Sequence, residues 1–113
     1  MRPDPAQREE ARAIARELAQ IARTAAVLPG SIGERRTRCG QPSCACQTDP
    51  SRRHGPYWHW TRKVAGKTAG RYVSEGAAAE YRSWIDNDRR LRELLARLEA
   101  IGIERLEAAR RDD

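Results

Sequence analysis

Three cysteines and one histidine fall in a single short run, Cys39, Cys44, Cys46 and His54, in the pattern C-x4-C-x-C-x7-H. A disulfide framework does not suit this pattern. Only Ala45 separates Cys44 from Cys46, a spacing that strains a bridge, and a bridge from Cys39 to either one leaves a thiol over. Three thiolates and an imidazole instead complete a closed tetrahedral set of the kind that holds a structural zinc ion. Gly40 and Pro42 suit a tight turn between the first two ligands, and Asp49-Pro50 suits another before the histidine. The expected ligands are therefore Cys39, Cys44, Cys46 and His54, with structural Zn2+ as the cofactor. His59 is the alternative fourth ligand, although it falls in an expected strand whose pleat fixes the direction of its side chain. An iron-sulfur cluster is disfavoured because it usually takes four cysteines, and four protein ligands leave no open position for a catalytic water.

A metal staple also answers a shortage elsewhere in the chain. Of 113 residues only 39% are hydrophobic, 34% are charged and phenylalanine is absent, so the apolar stock is thin for a core of this size. The length suits one domain over 1–113, divided into an N-terminal helix (1–29), a zinc site with a basic hairpin (30–74) and a C-terminal helical region (75–113). No run approaches the roughly 18 to 20 apolar residues of a membrane span, and no secretory leader is visible, so a soluble cytoplasmic protein without membrane partners is expected.

Asp4-Pro5 reads as a helix start, followed by apolar residues at Ala11, Ile14, Leu18, Ile21 and Ala25 in three-four spacing. That helix should end before Pro29-Gly30. Ser74 is placed to cap a second helix striped by Tyr81, Trp84, Ile85, Leu91, Leu94, Leu95 and Leu98. Gly102 should end or bend it, leaving a short third helix over 103–110. Such heptad-like, coiled-coil stripes need a partner: they pack on each other, or on the same helices of a second copy to make a homodimer.

Between the helices, GPYWHWTRKVAGKTAGRYVS has the alternation and turn chemistry of a β-hairpin, with Gly66 in an Ala-Gly or Gly-Lys loop at its tip. Either loop puts Trp58, Trp60, Arg62 and Val64 on one face with Ala69, Arg71 and Val73. The other face carries Tyr57, His59, Thr61 and Lys63 with Thr68 and Tyr72. The tryptophan face should pack on the helices, meeting Tyr81 and Trp84. Residues 34–39 are expected to add a third strand, bringing Arg36 or Arg38 to the same region. The fold class is thus α+β: a small zinc-stabilised hairpin or three-stranded sheet flanked by two long amphipathic helices.

The net charge of +6 is concentrated in this central segment. Residues 35–72 hold nine basic residues against the single acid Asp49, whereas both flanks are near neutral. Polyanions are the natural partners of such a local field.

The runs CGQPSCAC, HGPYWHWTRKVAGKT and YRSWIDNDRRLRELL resemble an uncharacterised family of short bacterial proteins with a C-G-x-P-x-C-x-C and H-G-P-Y signature. That resemblance covers about residues 30–98; it implies a shared zinc-and-hairpin domain and carries no activity with it. Tyr57 to Lys67, followed by the helix after Ser74, is more loosely similar to the arm-type DNA-binding domains of phage integrases, which lay a sheet in the major groove. That similarity implies DNA ahead of RNA as the ligand of the polar hairpin face. It departs in that those domains do not depend on a cysteine cluster, and no recombinase domain is present in this chain.

The expectation is therefore a zinc-containing nucleic-acid-binding protein, a small DNA-binding regulator or mobile-element accessory factor. Its contact residues would be Arg52, Arg53, Tyr57, His59, Thr61, Lys63, Lys67 and Arg71. The alternative is an adaptor whose helices mediate dimerisation or capture of another protein. An enzyme is not expected: a Cys44–His59 nucleophilic pair would lose its thiolate to the metal, and no orienting carboxylate stands out.

Overall fold

The computed structural model describes residues 2–112. Two helices, α1 (Pro5–Thr24) and α2 (Glu75–Asp112), enclose in sequence three strands, β1 (Ser31–Thr37), β2 (His54–Val64) and β3 (Lys67–Val73), which form one antiparallel sheet in the order β1-β2-β3. Two short 3-10 turns, Ala45–Gln47 and Pro50–Arg52, lie between β1 and β2. The chain divides into two compact units, one of residues 1–28 with 86–113 and the other of residues 29–85.

The first unit is a helix pair. Asp4 caps α1 reciprocally: its carboxylate accepts from the Gln7 backbone N–H at 2.7 Å, and the Gln7 side chain accepts from the Asp4 N–H at 3.0 Å. The helix stops at Thr24, earlier than Pro29-Gly30 requires, because Ala25 turns into the left-handed region at φ 51°. The expected stripe is the one buried: Ile14 and Ile21 of α1 form a core with Leu94 and Ile101 of α2, and Ala11, Leu18, Val27, Leu91 and Leu98 close around it. Polar contacts flank this seam. Arg90 holds the Glu17 carboxylate through both Nε and Nη2, Arg97 Nε donates to Glu10 at 3.2 Å, and Gln7 donates to Glu104 at 3.1 Å. The Arg90 hydrogen bonds hold the Glu17 carboxyl below its usual range, against the opposing effect of partial desolvation.

Gly102 does not end α2, and residues 103–110, expected as a short separate helix, are the continuation of α2 itself. The cost of a helical glycine is only about 1 kcal/mol, and Ile101 beside it, 8% exposed, is anchored in the core. Packing outweighs the break signal. Among the described residues no helix is long and apolar enough to cross a membrane.

In the second unit the hairpin turns on Ala65-Gly66, with Val64 paired to Lys67. Both turn residues have positive φ, 51° and 80°, as a two-residue turn matched to strand twist requires. β1 begins at Ser31, three residues before the expected third strand, and pairs with β2 rather than β3. Its register places Ile32 beside Trp60 and Glu34 beside Trp58, with an irregularity between Arg35 and Thr37. On the tryptophan side, Trp60 Nε1 donates to the Pro29 carbonyl at 2.7 Å, and the guanidinium of Arg82, from the start of α2, lies 4.5 Å from the Trp58 ring centre. Tyr81 and Trp84 meet each other edge to face at 4.9 Å. Ser74 Oγ accepts the Ala77 N–H at 3.2 Å, the expected cap.

Candidate metal centre and sheet face

Four side chains converge between β1 and β2. Cys39 follows the end of β1, Cys44 precedes the first 3-10 turn, Cys46 lies within it, and His54 opens β2. Their ligand atoms all lie within 4.8 Å of one another, close enough to bind a metal ion. The sulfurs of Cys39 and Cys46 are 3.5 Å apart, and Cys44 Sγ is 3.5 Å from His54 Nε2. A tetrahedral ion with metal–sulfur bonds of roughly 2.3 Å and metal–nitrogen bonds of roughly 2.1 Å has edges of about 3.8 and 3.6 Å. The Cys39–Cys46 and Cys44–His54 separations are near those edges, and the remaining pairs lie within 4.8 Å.

Hydrogen bonds of its own tie the loop that carries the cysteines. Gln47 Nε2 donates to the carbonyls of Cys39 at 2.5 Å and Gln41 at 3.2 Å, so one amide holds both ends of the Cys39 turn. The Cys39 N–H points at Cys46 Sγ at 3.3 Å. Asp49 caps the second 3-10 turn by accepting from Ser51 N at 3.0 Å. Gly55, next to His54, has φ +123°, and a Cβ there would stand 2.8 Å from the Arg35 carbonyl oxygen; only glycine lets the chain pass from ligand to strand so close to β1.

The thiols are electrostatically unlike. The Cys46 N–H, then the His54 ring and the other two sulfurs, lower the Cys44 thiol to about 6. Cys46 also receives a hydrogen bond, from the Cys39 N–H, but burial and the adjoining Cys44 and Cys39 sulfurs outweigh it and push that thiol up. Three sulfurs packed this tightly cannot all ionise without a cation among them. The donor set and its spacing suit a closed, four-ligand ion with no vacant position.

His59 is not grouped with this cluster. It lies on the polar face of the sheet, its ring 4.7 Å from that of Tyr72, and among the described residues the histidine grouped with the cysteines is His54. Cys44 therefore has His54, and not His59, as its imidazole neighbour.

The register sorts the remaining expected contact residues into three places. Tyr57, His59, Thr61 and Lys63 share the polar face, where Lys63 Nζ donates to Thr68 at 2.7 Å. Lys67 pairs with Val64 and Arg71 with Trp60, so both stand on the tryptophan side, away from the other four. Arg52 and Arg53 lie at the second 3-10 turn, and Arg52 is within 4.0 Å of Asp49 in an exposed pair. Two residues that the sequence reading did not include among the contacts join the polar face. Tyr72 pairs with His59, and Arg35 pairs with Tyr57 through β1. The two-residue periodicity already put Tyr72 on that face; Arg35 has no such signal, because its position depends on which strand β1 chooses.

Fold and site together define an α+β protein with a three-stranded antiparallel sheet and a Cys3His group that could hold a metal ion. Residues 7–83 match the family described as Domain of unknown function (DUF6788), and the chain belongs to that family. No curated protein and no solved structure matches the chain. The comparisons thus agree with an uncharacterised family and do not bear out the likeness to integrase arm domains.

Proposed function

We infer that this chain is a nucleic-acid-binding protein in which zinc, held by Cys39, Cys44, Cys46 and His54, staples the base of a basic sheet. The observation that carries this reading is the polar sheet face. Tyr57, His59, Thr61 and Lys63 stand there together, within a segment of nine basic residues and one acid. Hydroxyls and cations hydrogen-bond phosphates, and exposed rings accept bases. The zinc is structural, and its task is to hold β1, the cysteine loop and β2 in one geometry.

Binding of labelled single-stranded DNA, duplex DNA and RNA as a function of salt tests this. Contact with about four phosphates, through Arg35, Lys63, Arg52 and Arg53, predicts a log–log salt slope of about −3.6 for duplex and about −2.8 for single strands. Charge reversal at Lys63 or Arg35 should weaken binding more than reversal at Lys67, which stands on the tryptophan side. Absence of binding to all three at low salt refutes the reading.

A homodimer through α2 is the second reading, favoured by Leu95, Ile103 and Leu106, which are 54%, 60% and 60% exposed. A strictly monomeric mass at high concentration would exclude it.

A further inference from the structure

The polar face is built in rows across the sheet. Register places Arg35 beside Tyr57, then Gly33 beside His59 and Tyr72, then Ser31 beside Thr61 and Gly70, then Lys63 beside Thr68. Successive rows lie about 6.8 Å apart along the strands. Three rings therefore occupy two adjacent rows. Tyr72 links them, meeting Tyr57 edge to face with centres 5.9 Å apart and tilting against His59 at 4.7 Å.

Two glycines shape the space around these rings. A Cβ on Gly70 would stand 2.8 Å from Cε1 and Nε2 of His59, so the imidazole lies down over β3 where a side chain is missing. Across the sheet, Gly33 has no atom within 4 Å of where its Cβ would be, which leaves open backbone beside the same ring. The face is thus low in the middle and aromatic, with cations at its ends. Tyr57 and Tyr72 remain 45% and 52% exposed, an unusual outlay of aromatic surface in a chain with only three tyrosines and no phenylalanine.

We propose that Tyr57, His59 and Tyr72 form a stacking platform for the unpaired bases of a single-stranded nucleic acid, with Arg35 and Lys63 holding its backbone at either end. This rests on the nucleic-acid reading above and narrows it to single strands. A duplex buries the flat faces of its bases in its own stack and offers the protein only edges and phosphates, which long polar side chains read. The centre of this face carries no long one: its two rows hold Gly33, His59 and Tyr72, then Ser31, Thr61 and Gly70. A single strand leaves base faces free, and every base has one, so binding is tolerant of sequence. Arg35 and Lys63 are three rows apart, about 20 Å, enough for roughly three to six nucleotides between extended and stacked spacing.

The test uses the metal-loaded full chain and fluorescence anisotropy with labelled single-stranded DNA, single-stranded RNA and duplex DNA of about 12 nucleotides or base pairs. Single strands should bind at least about tenfold tighter than duplex at the same salt. The double substitution Tyr57→Val with Tyr72→Val keeps strand-forming residues while removing two rings; it should weaken single-strand binding by about 5- to 150-fold per stacked base and leave the salt slope unchanged. Tyr57→Phe with Tyr72→Phe, which keeps the rings, should stay within about twofold of the parent. Unaltered tryptophan emission and metal content in both variants show that the sheet is intact. Equal affinity for duplex and single strand, with no loss in the valine variant, overturns the platform while leaving the electrostatic reading standing. Failure of every nucleic acid to bind overturns both. A preference between the DNA and RNA strands identifies which polymer the platform serves.

Discussion

Removing the metal should unfold the sheet unit, and the structure sets the scale of the effect. Within residues 29–85 the fully buried side chains are Cys46, Ala78 and Ile85. Their burial is worth together about 5 kcal/mol, most of it from the isoleucine. A structural zinc site contributes apparent binding free energy on the order of 10 kcal/mol, about twice what these three side chains supply. All three tryptophans, Trp58, Trp60 and Trp84, lie in this unit and none in the helix pair, so their emission reports the sheet unit alone. Urea unfolding followed by tryptophan fluorescence, repeated over a series of chelator-buffered zinc concentrations, gives the linkage directly. Each tenfold fall in free zinc should lower the stability of the tryptophan transition by about 1.4 kcal/mol while the site is more than half filled. At full chelation that transition should disappear, while part of the helical circular dichroism persists, since the core of Ile14, Ile21, Leu94 and Ile101 contains none of the ligands. Cys44→Ser should imitate chelation, losing far more metal affinity than the about 10- to 100-fold typical of an outer-shell hydrogen bond. A metal-free protein with the same tryptophan transition as the loaded one would refute the argument.

The helix pair yields two further expectations. Leu94, 0% exposed at the centre of the core, should cost about 3 to 5 kcal/mol when cut to alanine, read as a drop in the thermal midpoint of the helical signal. Because Arg90 holds the Glu17 carboxyl below its usual range, the contribution of that pair is present above the ordinary carboxylate pKa. It is lost as pH falls through the lower folded value. Glu17→Gln should therefore flatten the acid limb of the stability profile and change little below it; an unchanged acid limb would show the pair to be idle.

The cysteine cluster was legible because its logic is local: four donors in one short run can reach one ion whatever the rest of the chain does. The hairpin was equally legible, since a two-residue alternation and one glycine settle which side chains share a face. Ala65, however, carries positive φ beside Gly66, a strain that no propensity argument assigns to alanine. Gly102 misled for the complementary reason. Its local cost is about 1 kcal/mol, and the buried seam around Ile101 outweighs it.

What the sequence determined by itself, then, was chemistry at short range: a Cys3His group able to reach one ion, the helix starts at Asp4 and Ser74, and the two faces of the β2–β3 ribbon. The tertiary structure decided what depends on long-range pairing. It placed β1 on the far edge of β2, which brings Arg35 beside Tyr57 and Gly33 beside His59, and it set the His59 ring against that of Tyr72. The physical reason is that charge and periodicity are properties of one segment, whereas the neighbour a strand acquires depends on register with residues far along the chain.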